Sequence, residues 1–146
     1  MRIAFDLDDT LIPSVYDFPT EQPPRLLLGR LLANVPLRLG TTRLLRTLTG
    51  PGHELWIYTT SYRSPFQVRQ LFNIPGIRIC GVVNGDIHSR SVRQGCSKYP
   101  PAFGIDLLVD DSPGVMMEAE RLGFRAILIR PDDENWVQAV LEAVES

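Results

Sequence analysis

IAFDLDDTLIP, residues 3–13, is the stretch on which the reading of this chain turns. A short apolar run delivers three aspartates almost at once, Asp6, Asp8 and Asp9. Like charges this close repel one another. Folding alone gives no reason to collect them at the end of a buried strand, so they call for a neutralising partner.

Working outward, four further segments read as strands: residues 54–59 (ELWIYT), 77–83 (IRICGVV), 105–110 (IDLLVD) and 125–129 (RAILI). With residues 2–6 they make about five. Their apolar residues come in runs rather than in alternation, as expected of strands covered on both faces. Helical patterns lie between them. Residues 43–48 carry leucines at helical spacing and stop at Gly50-Pro51-Gly52. Ser64-Pro65 reads as an N-cap and first-turn proline opening a helix to about residue 73, and Ser112-Pro113 repeats the signature before a helix that stops at Gly123. Asp133 is placed as the cap of a last helix through Trp136, Val140 and Leu141. Strand and helix alternate, which predicts an α/β domain: a doubly wound, mainly parallel, Rossmann-like sheet of about five strands with helices on both faces. Residues 13–24 and 84–101 read as loop-rich, and Asn84-Gly85 is expected to turn a short hairpin (VVNGDI).

In such sheets ligands bind beyond the carboxyl ends of the strands. The first strand ends in Asp6, with Asp8 two residues on; the second ends in Thr59, followed by Thr60 and Ser61; the fourth ends in Asp110-Asp111. Lys98 lies in the loop before that fourth strand. Carboxylates, hydroxyls and one ammonium are thereby brought to one edge, where a hard, oxygen-preferring cation such as Mg2+ would offset the acids.

This ordered set resembles the haloacid dehalogenase (HAD) superfamily of phosphohydrolases. The D-x-D-x-T motif stands as Asp6-Leu7-Asp8-Asp9-Thr10, the strand-end hydroxyl as Thr59 in WIYTTS, the lysine as Lys98, and the acidic pair as Asp110-Asp111. The resemblance implies a magnesium-dependent phosphoric monoester hydrolase. Asp6 would be the nucleophile and form an aspartyl-phosphate. Asp8 would be the general acid and base; the family's dehalogenases lack that second aspartate, so Asp8 favours phosphoryl transfer. Thr59 and Lys98 would hold phosphoryl oxygens; Thr60 and Arg63, from their place after the second strand, are further candidates for substrate contact beside their reading as a loop hydroxyl and a surface charge. The metal would be held by the Asp6 carboxylate, the Asp8 backbone carbonyl and Asp110, with Asp111 as an additional ligand or a supporting group. Many members carry another acid a few residues after the fourth motif; here Val115 and Met116 occupy that region, and Glu118 is expected on a solvated helix face. Two other readings stand beside this one: a scaffold with the same fold and no turnover, and a phosphotransferase acting on an acceptor other than water.

The remaining features set bounds. At 146 residues the chain fits one domain, residues 1–146, and the segments between the motifs leave no room for a full cap domain. A net charge of −2 gives no indication of nucleic-acid binding. No apolar run is long enough to span a bilayer, and MRIAFDLDD has no secretory signature, so a cytoplasmic protein is expected. Cys80 and Cys96 read as buried or idle thiols, His53 and His88 as surface residues, Trp56 as core, Ser61 as a loop or capping hydroxyl, and Arg90 and Arg93 as ordinary surface charges. The expected partner is a phosphorylated substrate, large or macromolecular because the site lacks a cap, unless residues 13–24 form a lid or a homo-oligomer covers the opening.

Overall fold

The computed structural model describes Met1–Ser146. In chain order its strands are β1 (Arg2–Phe5), β2 (Thr20–Glu21), β3 (Leu37–Arg38), β4 (Glu54–Tyr58), β5 (Ile79–Val83), β6 (Leu107–Asp110) and β7 (Ala126–Leu128). Its helices are α1 (Leu27–Leu32), α2 (Thr41–Thr49), α3 (Pro65–Leu71), α4 (Gly85–Ser91), α5 (Pro113–Leu122) and α6 (Trp136–Glu145), with a 3-10 turn over Pro100–Phe103. β1 is central because all but its first residue are fully buried, which only a strand covered on both faces allows. It pairs in parallel with β4 on one side (Phe5 opposite Ile57) and β6 on the other (Phe5 opposite Val109). The five-stranded order is β5-β4-β1-β6-β7, parallel throughout.

Strand alternation divides the core. Ile3, Phe5, Leu55, Ile57, Leu107 and Val109 enter a large cluster with Leu44 and Leu45 of α2, Val68 of α3, and Trp136 and Val140 of α6. Ala4, Tyr58, Leu108 and Val83 enter a smaller one on the other face with Val115 of α5, against which Ile87 of α4 packs. Each fully buried large apolar side chain contributes about 1.5–3 kcal/mol relative to exposure. All five expected strands are present, with ends differing by one to two residues. The two Ser-Pro helix starts also form: Ser64 makes a reciprocal capping box with Gln67, and Ser112 caps α5, which ends on Gly123 at φ 73°.

Three local expectations are corrected. Asn84-Gly85 does not turn a hairpin. Asn84 is extended (φ −98°, ψ −179°), and its side chain accepts from the Ile87 amide to cap α4. Asn serves both roles, and here the cap prevails because the Asn84 side-chain amide also donates to the Arg63 carbonyl at 3.0 Å. Gly85 is required for close approach, since a Cβ there would sit 2.7 Å from the Thr60 carbonyl. The last helix starts at Trp136, and Asp133 instead accepts from the Asn135 amide one turn earlier. Residues 13–24 are irregular except at Thr20–Glu21, where β2 pairs antiparallel with β3. No helix is long and apolar enough to cross a membrane. Asn84→Ala should cost about 1 kcal/mol through loss of the cap, with an unchanged m-value in urea unfolding; no loss of stability would show that α4 does not depend on the cap.

Candidate active site

The site is built from the ends of β1, β4 and β6 and from residues 92–99. Asp6 follows β1, and its amide donates to the Val109 carbonyl at 2.8 Å, so the central pairing runs on into the site. That pairing places Asp6 beside Asp110, the last residue of β6. Two buried carboxylates would repel strongly, and Lys98 resolves this. Its Nζ donates to Asp6 Oδ1 at 2.5 Å and to Asp110 Oδ2 at 2.5 Å, and the side chain is 3% exposed. Burial disfavours the ammonium, but Asp6 and Asp110 together outweigh it and hold the Lys98 pKa above its usual value, so it stays charged. Burial, then the neighbouring charge of Asp6, pushes Asp110 upward, partly offset by Lys98.

The second Asp6 oxygen accepts from Thr10 Oγ1 at 3.0 Å, and Thr10 also lies 3.2 Å from Asp111 Oδ1. Thr10 therefore ties the first motif to the acidic pair. Asp6, Asp110 and Asp111 each place an oxygen within 4.8 Å of the others. One ammonium does not balance three carboxylates. The excess shows at Asp111, whose pKa is pushed up to about 7, first by burial and then by the Asp6 charge. An all-oxygen donor set with uncompensated negative charge fits a hard cation. Asp6, Asp110 and Asp111 could hold one.

The other sequence-expected residues fall around this cluster. Asp8 is not part of it through its carboxylate, which pairs with Arg63 Nη1 at 3.2 and 3.3 Å; the side chains are 32% and 38% exposed. The sequence placed only the Asp8 backbone carbonyl at the metal, so this pairing leaves that expectation standing. Thr59 is buried. Its hydroxyl donates to Ser61 Oγ at 3.0 Å and accepts from the Ser61 amide, so Ser61 is the loop hydroxyl expected. Thr60 is exposed. Tyr16, Asp111, Ser112 and Arg130 line an open cavity of about 520 Å³ beside the cluster.

Several residues were missed or misplaced. Asp9 looked like one more acid of the motif. It sits at φ 62° and its carboxylate accepts from the amides of Ser14, Val15 and Tyr16, so it anchors the following loop. Glu118 does not sit on a solvated face: its two oxygens accept from the Ser97 and Lys98 amides at 2.8 and 3.3 Å. His88 is half-buried against Tyr58 rather than in a hairpin. Cys80 is exposed and Cys96 half-buried, both free; Trp56 is half-buried, with Arg2 over its ring at 4.7 Å. Glu118 and His88 carried no local signal, because their partners lie 8 to 30 residues away.

The raised Asp111 carboxyl has a consequence for stability. Its pKa rises from about 4 in the unfolded chain to about 7 in the fold. Between these values the folded state binds more protons than the unfolded one, so this group's contribution falls as pH rises and is lost through pH 7. The melting temperature of the metal-free protein should therefore drop across pH 4–7 by more in the wild type than in Asp111→Asn. Magnesium at pH 7.5 should raise it again. An identical pH profile for the two proteins would contradict the assigned charge excess.

Neither a family model nor a curated protein matches this chain. A solved structure does: a predicted HAD-like family hydrolase from Porphyromonas gingivalis, 16% identical, with 99% of this chain covering 98% of that one at a TM-score of 0.56. Together with the parallel β5-β4-β1-β6-β7 sheet, this likeness shows that the chain has the fold of a HAD-like hydrolase.

Proposed function

We propose that the protein is a magnesium-dependent phosphoric monoester hydrolase working through an aspartyl-phosphate on Asp6. The observation that carries this is the Lys98 ammonium held at 2.5 Å from both Asp6 and Asp110, with Asp111 alongside. Lys98 fixes one Asp6 oxygen and Thr10 bonds the other, so the carboxylate is oriented before substrate arrives. The in-line attack forms an Asp6 oxygen–phosphorus bond and breaks the bond from phosphorus to the leaving oxygen. Asp8 delivers the proton that the leaving oxygen takes up, then removes one from the water that hydrolyses the acyl phosphate. Lys98 and Thr59 bind phosphoryl oxygens, and Arg63 exchanges its Asp8 contact for the incoming phosphate. Magnesium, held by the Asp6 and Asp110 carboxylates with Asp111, would screen the phosphate from the acids.

In an assay on an aryl and an alkyl phosphate, Asp6→Asn should lose turnover of both. Asp8→Asn should lose about 10²–10⁴-fold on the alkyl ester and less on the aryl ester, whose leaving group needs little protonation. Chelation should abolish activity reversibly. Turnover by Asp6→Asn at the wild-type rate would end the covalent reading, and full activity in excess chelator would end the metal reading.

The substrate class we infer is large or macromolecular. The segment between β2 and β3 is short and holds one helix, α1, which supports a site without a full cap. The loop after Asp9 is tied down by three amide contacts, which weighs against its closing as a lid. The kcat/KM for phosphorylated peptides or nucleic-acid ends should exceed that for small sugar phosphates by at least tenfold in a monomer. A monomer that prefers the sugar phosphate would reverse this assignment, and a dimer covering its own opening would replace it.

A further inference from the structure

Lys98 sits in a segment, residues 92–99, that has no regular backbone pattern of its own, yet its ammonium must be placed between two carboxylates. What fixes this segment is a set of side chains from three other elements. The Tyr58 ring lies under the site on the side of the smaller core, fully buried at the end of β4 and one residue before Thr59. Its oxygen accepts from the Tyr99 amide at 2.9 Å and lies 2.6 Å from His88 Nδ1 of α4. His88 Nε2 in turn is 3.0 Å from the Cys96 carbonyl. Glu118 of α5 holds the Ser97 and Lys98 amides between them.

A carbonyl can only accept, so His88 Nε2 must carry a hydrogen and donate to Cys96. The Tyr58 phenol stays protonated, because burial raises its pKa far above the usual value. Its oxygen accepts from the Tyr99 amide, which leaves its one hydrogen available to His88 Nδ1 at 2.6 Å. A continuous hydrogen-bonded chain thus runs from the Tyr99 amide through the Tyr58 hydroxyl and the His88 ring to the Cys96 carbonyl. The chain closes around Lys98, gripping the backbone two residues before it and one residue after.

The geometry points to His88 and Tyr58 as positioning residues for Lys98, acting as one unit, in the reaction proposed above. Neither touches the reacting atoms. They set where the Lys98 ammonium stands relative to Asp6, and hence the orientation of the nucleophile. This inference rests on the phosphatase reading for its kinetic consequence alone; the positioning itself can be read without turnover.

The test is a double-mutant cycle with two readouts. Tyr58→Phe and His88→Ala should each lower kcat at least tenfold with little change in KM, and the double variant should be no worse than the poorer single one, because either change opens the same chain. His88→Gln, which retains a donor for the Cys96 carbonyl, should recover part of the loss. Independently of activity, the 15Nζ resonance of Lys98 and amide exchange over residues 96–99 should change in both single variants, without loss of the circular dichroism of the fold. If the wild type shows no phosphatase activity but these signals respond, the phosphatase reading fails and the positioning role holds. Unchanged Lys98 and amide signals in both variants, or kinetic losses that multiply in the double variant, would overturn the positioning role.

Discussion

A single ammonium between two carboxylates is the contact on which the rest of this structure depends. Lys98 brings together the end of β1, the end of β6 and a segment without regular structure, with the three charged side chains themselves nearly dry. Taking three charges out of solvent costs several kcal/mol per ion, and their mutual attraction offsets this only with close geometry and every remaining lone pair occupied. Each of the four carboxylate oxygens has a partner here. Thr10 takes the free Asp6 oxygen, and the Ser112 amide takes the free Asp110 oxygen at 2.9 Å. The parallel pairing of β1 with β6 is then constrained electrostatically as well as by apolar packing. A slip by one residue would turn Asp6 or Asp110 toward the wrong face and leave Lys98 with one partner.

The acidic side of the cluster is not balanced by this contact. Asp111 adds a third carboxylate within reach of the other two, and its raised pKa is the cost of placing it there without a cation. Selection for stability alone would favour a neutral side chain at that position. Retaining the acid makes sense when a hard cation completes the charge balance, and such a cation would also stabilise the fold by binding only the folded state. A cation bound there would couple stability and binding at this one residue.

The strand ends of the candidate site were legible in the sequence because their information is local. A run such as IAF followed by Asp6, or LLV followed by Asp110, carries both the strand and the polar group that terminates it. The Ser-Pro helix starts were readable for the same reason. What surrounds Lys98 was not, because Tyr58, His88 and Glu118 reach it from three elements at separations of 8 to 41 residues, and no spacing rule covers that range. Asn84 was misread for a different reason. Asn-Gly suits both a type I′ turn and a helix cap, and the choice was made by the Arg63 carbonyl waiting for a donor. Asp9 belongs to the motif by sequence and to the loop by structure, a distinction visible only in its backbone angle and its three amide partners.

The two aspartates of the opening motif end in opposite environments, and the difference matches the roles proposed for them. Asp6 is 9% exposed at its side chain and bonded by Lys98 and Thr10. Asp8, two residues later, is 32% exposed and meets only the half-open Arg63. A nucleophile gains from fixed orientation and from the exclusion of competing water. A group that passes protons to a leaving oxygen and takes them from water has to exchange with solvent between turnovers. The tight loop after β1, in which the amides of Thr10, Leu11 and Ile12 all donate to the Leu7 carbonyl, is what separates the two carboxylates so sharply. One short turn thus places one acid in the dry half of the site and the other at its mouth. Arg63 holds the second acid in place until a phosphate competes for the guanidinium.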